Sequence, residues 1–86
     1  MVQETDDRLS GIIEALEELM EDTTVQKNIK TRISSIIEAL SQDEELSIRI
    51  NKALDELDEI SNDNNLHSYT RTQIWNVASM LEMIQY

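Results

Sequence analysis

The stretch LEELMEDTTVQKNIKTRISSIIEAL, at residues 16–40, decides the fold because a matching stretch follows it in the same chain. The second stretch, LDEISNDNNLHSYTRTQIWNVASML, occupies residues 57–81 and aligns with the first without a gap at an offset of 41 residues. Aligned apolar pairs include Leu16/Leu57, Leu19/Ile60, Val25/Leu66, Ile33/Ile74, Ile36/Val77 and Leu40/Leu81. Polar positions match in the same register, as in Asp22/Asp63, Thr31/Thr72 and Lys30/Arg71. We interpret the pattern as a duplication, with a spacing typical of paired-helix repeats of the HEAT and armadillo type.

Apolar residues recur along the chain at steps of three and four, which is the period of amphipathic helices. The chain has no Pro and one Gly, so the main helix breakers are almost missing. The pattern predicts four helices, at about residues 6–21, 25–41, 44–61 and 66–85.

Short connections make neighbouring helices run antiparallel, and 86 residues are enough for one domain only. We therefore predict an all-α single domain over residues 1–86, a four-helix assembly of two stacked antiparallel helical hairpins with HEAT-like duplication. The first hairpin is expected at about 6–41 and the second at about 44–85.

Polar residues between the predicted helices have the chemistry of N-caps. Thr24 and Asn65 occupy equivalent places in the two copies, and each can accept a hydrogen bond from the free amides of the following helix. Ser41 and Glu44 have the spacing of a capping box, with Asp43 as a competing N-cap. These residues predict where the second, third and fourth helices begin.

The net charge of the chain limits the classes of partner that it can bind. Eighteen acidic and seven basic residues give a formal net charge of −11, which repels nucleic-acid phosphates and anionic lipid. The chain has no Cys, it has no apolar run long enough to span a bilayer, and residues 1–7 are acidic where a signal peptide is basic. We expect a cytoplasmic protein that binds no membrane.

Acidic side chains cluster on the first predicted helix of each copy, at Glu14, Glu17, Glu18 and Glu21 and at Asp55, Glu56, Asp58 and Glu59. They could form a cation site or a docking face, but the simpler interpretation is a solvated helix face. With one His in the chain, no pair of Glu-x-x-His motifs for a helical metal centre is available.

His67 and Ser68 stand next to each other near Asp63, yet the sequence suggests no oxyanion hole and no oriented base. His67 is interpreted as an ordinary residue at a helix start. We predict that the protein is not an enzyme and uses no metal or cofactor.

Basic residues gather on the second predicted helix of each copy, at Lys27, Lys30, Arg32 and Arg71. A stripe of this kind could contact RNA or an acidic protein. Without interleaved aromatic residues, and on a chain of net charge −11, it is a weak nucleic-acid signature. An accessory protein associated with RNA or the ribosome is therefore the alternative hypothesis.

The last predicted helix has more large apolar side chains than one buried stripe requires. Tyr69, Met80 and Met83 form a second stripe at near-helical spacing, and Trp75 and Tyr86 lie outside it. Trp, Tyr and Met are enriched in protein interfaces. The sequence therefore favours a non-enzymatic interaction module that binds a protein partner or a second copy of itself through these residues.

Three segments, 22–30, 57–63 and 70–76, resemble a small archaeal family known as the uncharacterised family 0147 of the UPF series. The strings Glu-Ile-Ser-Asn-Asp and Arg-Thr-x-Ile-Trp-Asn are the most specific part of this resemblance. It implies an archaeal, cytoplasmic, all-helical protein and supplies no activity, cofactor or catalytic residue. The family commonly has Pro after the Val and in the Asn-rich loop, where Gln26, Asn64 and His67 stand here.

Overall fold

Four helices make up the computed structural model, which describes residues 3–84, with side chains from residue 9 onward. The chain order is α1 (Gln3–Glu21), α2 (Lys27–Ser41), α3 (Leu46–Ser61) and α4 (Ser68–Glu82). No β-strand occurs in this range, so the predicted all-α fold class is confirmed. The helices begin and end within about three residues of the predicted bounds.

Each helix buries one stripe of side chains at three- and four-residue steps. The stripes consist almost entirely of Leu, Ile, Val and Ala, and each side chain contacts the same central core. The buried residues on the helices are Leu9, Ile12, Leu16 and Leu19; Ile29, Ile33, Ile36 and Leu40; Ile50, Ala53, Leu57 and Ile60; and Thr70, Ile74, Val77 and Leu81. Fully burying a Leu or Ile side chain stabilises a fold by about 1.5–3 kcal/mol. The repeated apolar pairs of the sequence are therefore the core of the bundle.

The helices form a ring. Each one packs against its neighbours in the chain, and α1 also packs against α4 and closes the ring. Across the described part of the chain no Cα atoms of the diagonal pairs α1/α3 and α2/α4 lie within 8 Å of each other. This differs from HEAT-like stacking, which places equivalent helices of successive repeats side by side. In these two copies, a ring lets all four apolar stripes face one centre.

Helices α2 and α3 run antiparallel, as three contacts along their length show. The contacts are Leu40 with Arg49 (3.1 Å), Arg32 with Glu59 (2.8 Å) and, in the adjoining loops, Gln26 with Asn65 (3.3 Å). The number of the first residue falls from pair to pair while that of its partner rises. The last contact joins the α1–α2 loop to the α3–α4 loop. Both loops therefore lie at the same end of the bundle.

Loops 22–26 and 62–67 share one hydrogen-bond pattern at the offset of 41 residues. A carboxylate oxygen of Asp22 accepts from the Thr24 amide at 2.9 Å, and one of Asp63 accepts from the Asn65 amide at 2.8 Å. The Asp22 carbonyl accepts a hydrogen bond from the Val25 amide, and the Asp63 carbonyl accepts one from the Leu66 amide, both at 3.1 Å. This agreement does not depend on apolar periodicity, so it is independent support for the repeat.

The Asp22 carboxylate also accepts a hydrogen bond from the Thr24 hydroxyl at 2.7 Å. This bond, followed by the bond from the Thr24 amide, holds the pKa of Asp22 below its usual value. A negative charge is thereby kept at the loop.

The predicted N-caps of α2 and α4 are wrong. Gln26 and His67 are the N-cap residues, and neither side chain makes a capping hydrogen bond. The amides of Thr24 and Asn65 instead donate to the Asp two residues earlier. Asp side chains readily make such short-range turns. In both loops the turn places the N-cap two residues later than predicted.

The predicted capping box before α3 is also wrong. Glu45 is the N-cap, and it makes no capping hydrogen bond through its side chain. Ser41 is the last residue of α2, and its hydroxyl donates to the Ile37 carbonyl at 2.9 Å. Glu44 pairs with Lys52 at 3.0 Å instead of reaching back to an amide, and Asp43 lies in the exposed turn before the helix.

Gly11 lies inside α1, exposed to solvent, and a Cβ added there meets no atom within 4 Å. Gly11→Ala should therefore raise the free energy of unfolding by about 0.5–1 kcal/mol, because Gly is a poor helix former. Urea titration followed by circular dichroism would measure the gain. Gly11→Ser should give about half of it, since the helix propensity of Ser is intermediate. A loss of stability in both variants would contradict a regular helix at this position.

His67 has a φ of −66°, which is the value that Pro requires, and its amide donates no hydrogen bond within residues 3–84. His67→Pro should therefore raise the free energy of unfolding by about 0.4–1 kcal/mol by restricting the unfolded chain. Asn65→Pro is the matched control in the same loop. It should lower stability by about 1 kcal/mol or more, because it removes the amide that donates to Asp63. Equal effects of the two variants in a urea titration would refute this reading of the loop.

Candidate functional site

The large apolar side chains predicted as an interface are exposed on α4. Their exposed fractions are 59% for Tyr69, 57% for Trp75, 38% for Met80 and 72% for Met83. Tyr86 lies outside the described residues. Exposure of this size is unusual for Trp and Met on one short helix, so α4 is the candidate functional element.

These residues fall on two sides of α4. At 100° per residue, Tyr69, Met80 and Met83 lie within about 60° of one another. Trp75 lies about 80° or more from each of them. Met83 can be included because its backbone keeps helical angles, with φ −80° and ψ −11°. We refer to Tyr69, Met80 and Met83 as the α4 flank.

Trp75 stands at a groove between α3 and α4 with a volume of about 440 Å³, which we call the Trp75 groove. Apolar, small polar and acidic side chains share its lining. The residues other than Trp75 are Leu54, Asp55, Leu57, Asp58, Ser61, Ile74, Ala78, Ser79 and Glu82. The groove thus combines an apolar surface, one aromatic ring and three carboxylates.

This groove was not predicted from the sequence, which places Asp55 and Asp58 on a solvated acidic face and Trp75 in an apolar interface. The lining residues become neighbours only through the packing of α3 against α4, which periodicity within one helix does not reveal. From the sequence, these residues could have been placed together only by pairing α3 with α4 along their apolar stripes.

The four predicted basic residues do not form one free stripe. Arg32 pairs with Glu59 at 2.8 Å. Arg71 donates from Nε to the Ser61 carbonyl at 3.0 Å and from Nη2 to the Asp63 carbonyl at 2.9 Å. Lys27 is exposed and Lys30 is partly exposed. Two of the four cations are therefore occupied by contacts within the chain.

Arg71 has a structural role that the sequence analysis missed. The last carbonyls of a helix lack partners inside the helix and carry partial negative charge. The Arg71 guanidinium binds the carbonyl of Ser61, the last residue of α3, and that of Asp63 in the following loop. It therefore fastens the end of α3 to the start of α4. Lys30, the equivalent residue of the first copy, lacks the fork-shaped donor set of Arg.

The acidic faces and His67 complete the set of predicted site residues. His67 is exposed at the start of α4, as expected of an ordinary residue there. Among the residues that the structure describes, no three His, Cys, Asp or Glu side chains are grouped so that they could hold a metal ion. None of the helices in that part of the chain has the length and apolar character needed to cross a membrane.

Arg71→Lys should lower the free energy of unfolding by about 1–3 kcal/mol, because Lys cannot donate to both carbonyls in the same geometry. Lys30→Gln, at the equivalent position of the first copy, is the matched control and should change stability by less than about 0.5 kcal/mol. Chemical denaturation at neutral pH measures both. If Arg71→Lys is as stable as the unmodified chain, the contact does not hold the two helices together.

Comparison with protein-family models gives one match over almost the whole chain. The model of the uncharacterised protein family UPF0147 matches residues 1–84. A UPF0147 protein of Methanocaldococcus jannaschii is 44% identical over 78 residues, which are 90% of this chain and 84% of the relative. One from Archaeoglobus fulgidus is 38% identical, covering 88% and 87%, and one from Pyrococcus abyssi is 37% identical, covering 98% and 100%.

Two solved structures have the same fold. A UPF0147 protein from Thermoplasma acidophilum, described as uncharacterised, superposes with a TM-score of 0.89 at 32% identity, covering 98% of this chain and 100% of that one. The crystal structure of MMP1188, a protein of unknown function, superposes with a TM-score of 0.88 at 43% identity, covering 94% and 93%. The four-helix fold is therefore shared with relatives.

Proposed function

The chain belongs to the uncharacterised protein family UPF0147, and from this premise and the geometry above we propose that it is a non-enzymatic interaction module that self-associates through the α4 flank. One observation carries the proposal: Tyr69, Met80 and Met83 expose 59%, 38% and 72% of their surface on one side of one helix. Large apolar groups exposed on one side of a helix are typical of a surface that binds another protein.

The internal repeat strengthens this argument. At the offset of 41 residues, Tyr69 corresponds to Asn28, Met80 to Ala39 and Met83 to Gln42. The first copy thus folds with small or polar side chains at all three places. Packing of the bundle therefore does not require large apolar groups at the positions of the α4 flank. Their presence there supports a role in binding.

The distribution of charge favours a second copy as the occupant. Helix α4 carries one Arg and one Glu, whereas α1 carries seven acidic residues and one Arg. Two chains of net charge −11 repel each other, and helix α4, whose one Arg and one Glu balance, adds no net charge at the contact. Contact through the α4 flank therefore brings large apolar side chains together without adding to this repulsion.

The size of the flank sets the strength of the interaction. Helix α4 has 15 residues and is about 22 Å long, so a face about 10 Å wide covers about 220 Å². Stable dimers bury about 800 Å² on each partner. The expected self-association is therefore weak, with a dissociation constant on the order of 0.1 mM, unless neighbouring helices add to the contact.

The alternative hypothesis of RNA association has less support. Arg32 and Arg71 are engaged within the chain, which leaves Lys27 and Lys30 as the more available members of the predicted basic group. Two cations give a small salt dependence and little affinity for phosphates. For this reason we retain the protein-interaction role as the proposed function.

Met80→Gln together with Met83→Gln should abolish self-association, because Gln keeps the helix and the side-chain length but removes the apolar surface. Sedimentation equilibrium up to about 0.5 mM would detect a dimer of the expected strength. Raising salt from about 0.02 M to about 0.2 M should strengthen association of the unmodified chain by screening the repulsion.

Ile48→Gln supplies the matched control, because Ile48 on α3 is 41% exposed and lies outside α4. This variant should self-associate as the unmodified chain does. A chain that stays monomeric throughout the concentration range would refute the proposal, and so would equal loss of association in the control.

A further inference from the structure

The Trp75 groove differs from the corresponding place in the first copy. There the depression between α1 and α2 is lined by Glu17, Met20, Glu21, Ser34 and Ile37. At the offset of 41 residues, Trp75 replaces Ser34, while Ser61 and Ala78 replace the larger Met20 and Ile37. Both places have acidic residues, but only the Trp75 groove has an aromatic ring and small residues beside it.

The charge of the Trp75 groove has one sign. Asp55, Asp58 and Glu82 line it, and no Lys or Arg is among the lining residues. The two ion pairs found within residues 9–84, Arg32–Glu59 and Lys52–Glu44, leave all three of these carboxylates out. A cation entering the groove therefore meets carboxylates that no described cation of the chain neutralises.

The aromatic ring adds a second preference for a cation. Trp is the side chain whose ring face attracts cations most strongly, and the Trp75 side chain is 57% exposed at the groove. Leu54 and Ala78, which are partly exposed, provide apolar surface for an aliphatic stem, whereas Leu57 and Ile74 are buried in the core. An Arg side chain fits this combination, because its planar guanidinium stacks on aromatic rings and pairs with carboxylates in a fork.

The length of the groove limits what part of a partner it holds. Its lining on α3 extends from residue 54 to 61, which corresponds to about 10 Å along the helix. An extended peptide spans this distance with about three residues. The groove therefore suits a short extended segment with one or two basic side chains, and its volume of about 440 Å³ lies in the range of ligand-binding clefts.

We propose that the Trp75 groove binds an extended, arginine-bearing segment of a partner protein, with the guanidinium against the Trp75 ring and paired to Asp55 or Asp58. This inference shares with the proposed function only the premise that the chain acts by binding proteins. The surface, the partner and the dominant force are different.

Fluorescence of Trp75 provides a direct test, because it is the single Trp of the chain. The probe is an amidated nine-residue peptide with three Arg residues among Gly and Ser, and a peptide with Gln in place of Arg is its neutral partner. The Arg peptide should change Trp75 emission saturably at about 0.05 M salt, whereas the Gln peptide should not. Binding should weaken as salt rises, because it depends on opposite charges.

Variants locate the site. With a fluorescein-labelled Arg peptide and anisotropy as the readout, Asp55→Asn together with Asp58→Asn should weaken binding about five-fold. The matched control is Glu14→Gln together with Glu17→Gln, which changes the same charge at the equivalent positions of the first copy. It should weaken binding by less than about two-fold, because only long-range attraction is reduced.

Trp75→Ala should weaken binding about two- to five-fold, and Trp75→Phe should restore part of the loss, since a Phe ring still attracts a cation. Circular dichroism verifies that each variant is folded. Equal weakening by the two acidic double variants, or no saturable change of Trp75 emission, would overturn the proposal. Spermidine that competes as well as the Arg peptide at equal charge would also overturn it, because the groove would then be a site for small cations.

Self-association and groove binding can fail separately. Sedimentation of the Met80→Gln and Met83→Gln double variant tests the proposed function. At protein concentrations low enough to keep the unmodified chain monomeric, the same variant should bind the Arg peptide as the unmodified chain does, because Trp75 lies on another side of α4. The two interactions also have opposite salt dependence. Loss of both activities in that variant would refute the separation of the two surfaces.

Discussion

Closure of the helical ring by α1 against α4 is the contact on which the rest of the structure depends. The core consists of aliphatic side chains from all four helices, and no aromatic side chain between residues 9 and 84 belongs to it. Chain connectivity brings each helix next to the following one, but only tertiary packing brings α1 to α4. Without that contact the stripes of both terminal helices would be partly exposed to water. A chain of 86 residues has little core to spare, so its stability depends on keeping the ring closed.

The ring also explains why function is expected on α4. Each helix has one side that faces the core and two sides that face its neighbours. Side chains on the remaining side lie on the surface. In the first copy such positions carry Asn28, Ser34 and Ala39, which water or close packing accommodates easily. In the second copy the same positions carry Tyr69, Trp75 and Met80, which remain substantially exposed. This difference between the copies is the observation on which both proposed surfaces of α4 rest.

Most of the fold could be predicted from sequence because helical periodicity is a local property. The buried stripes and the four helices follow from it directly. The N-caps could not be predicted, because the amide and the hydroxyl of Thr24 both donate to Asp22, and the resulting turn places the N-cap of α2 at Gln26. The ring could not be distinguished from a HEAT-like stack, since both bury the same stripes. The Trp75 groove and the contacts of Arg71 depend on which residues of α3 and α4 face each other, and that register is set only when the helices pack.

The two proposed surfaces of α4 are linked by charge. A net charge of −11 opposes the approach of two copies, and a bound basic segment lowers that charge at the same helix that forms the contact. Binding in the Trp75 groove would therefore strengthen self-association through the α4 flank, even though the two surfaces share no residue. By thermodynamic linkage, self-association must strengthen binding of the basic segment by the same factor. Such coupling needs no change in structure, because it arises from the electrostatic free energy alone, and it disappears when salt screens the charges.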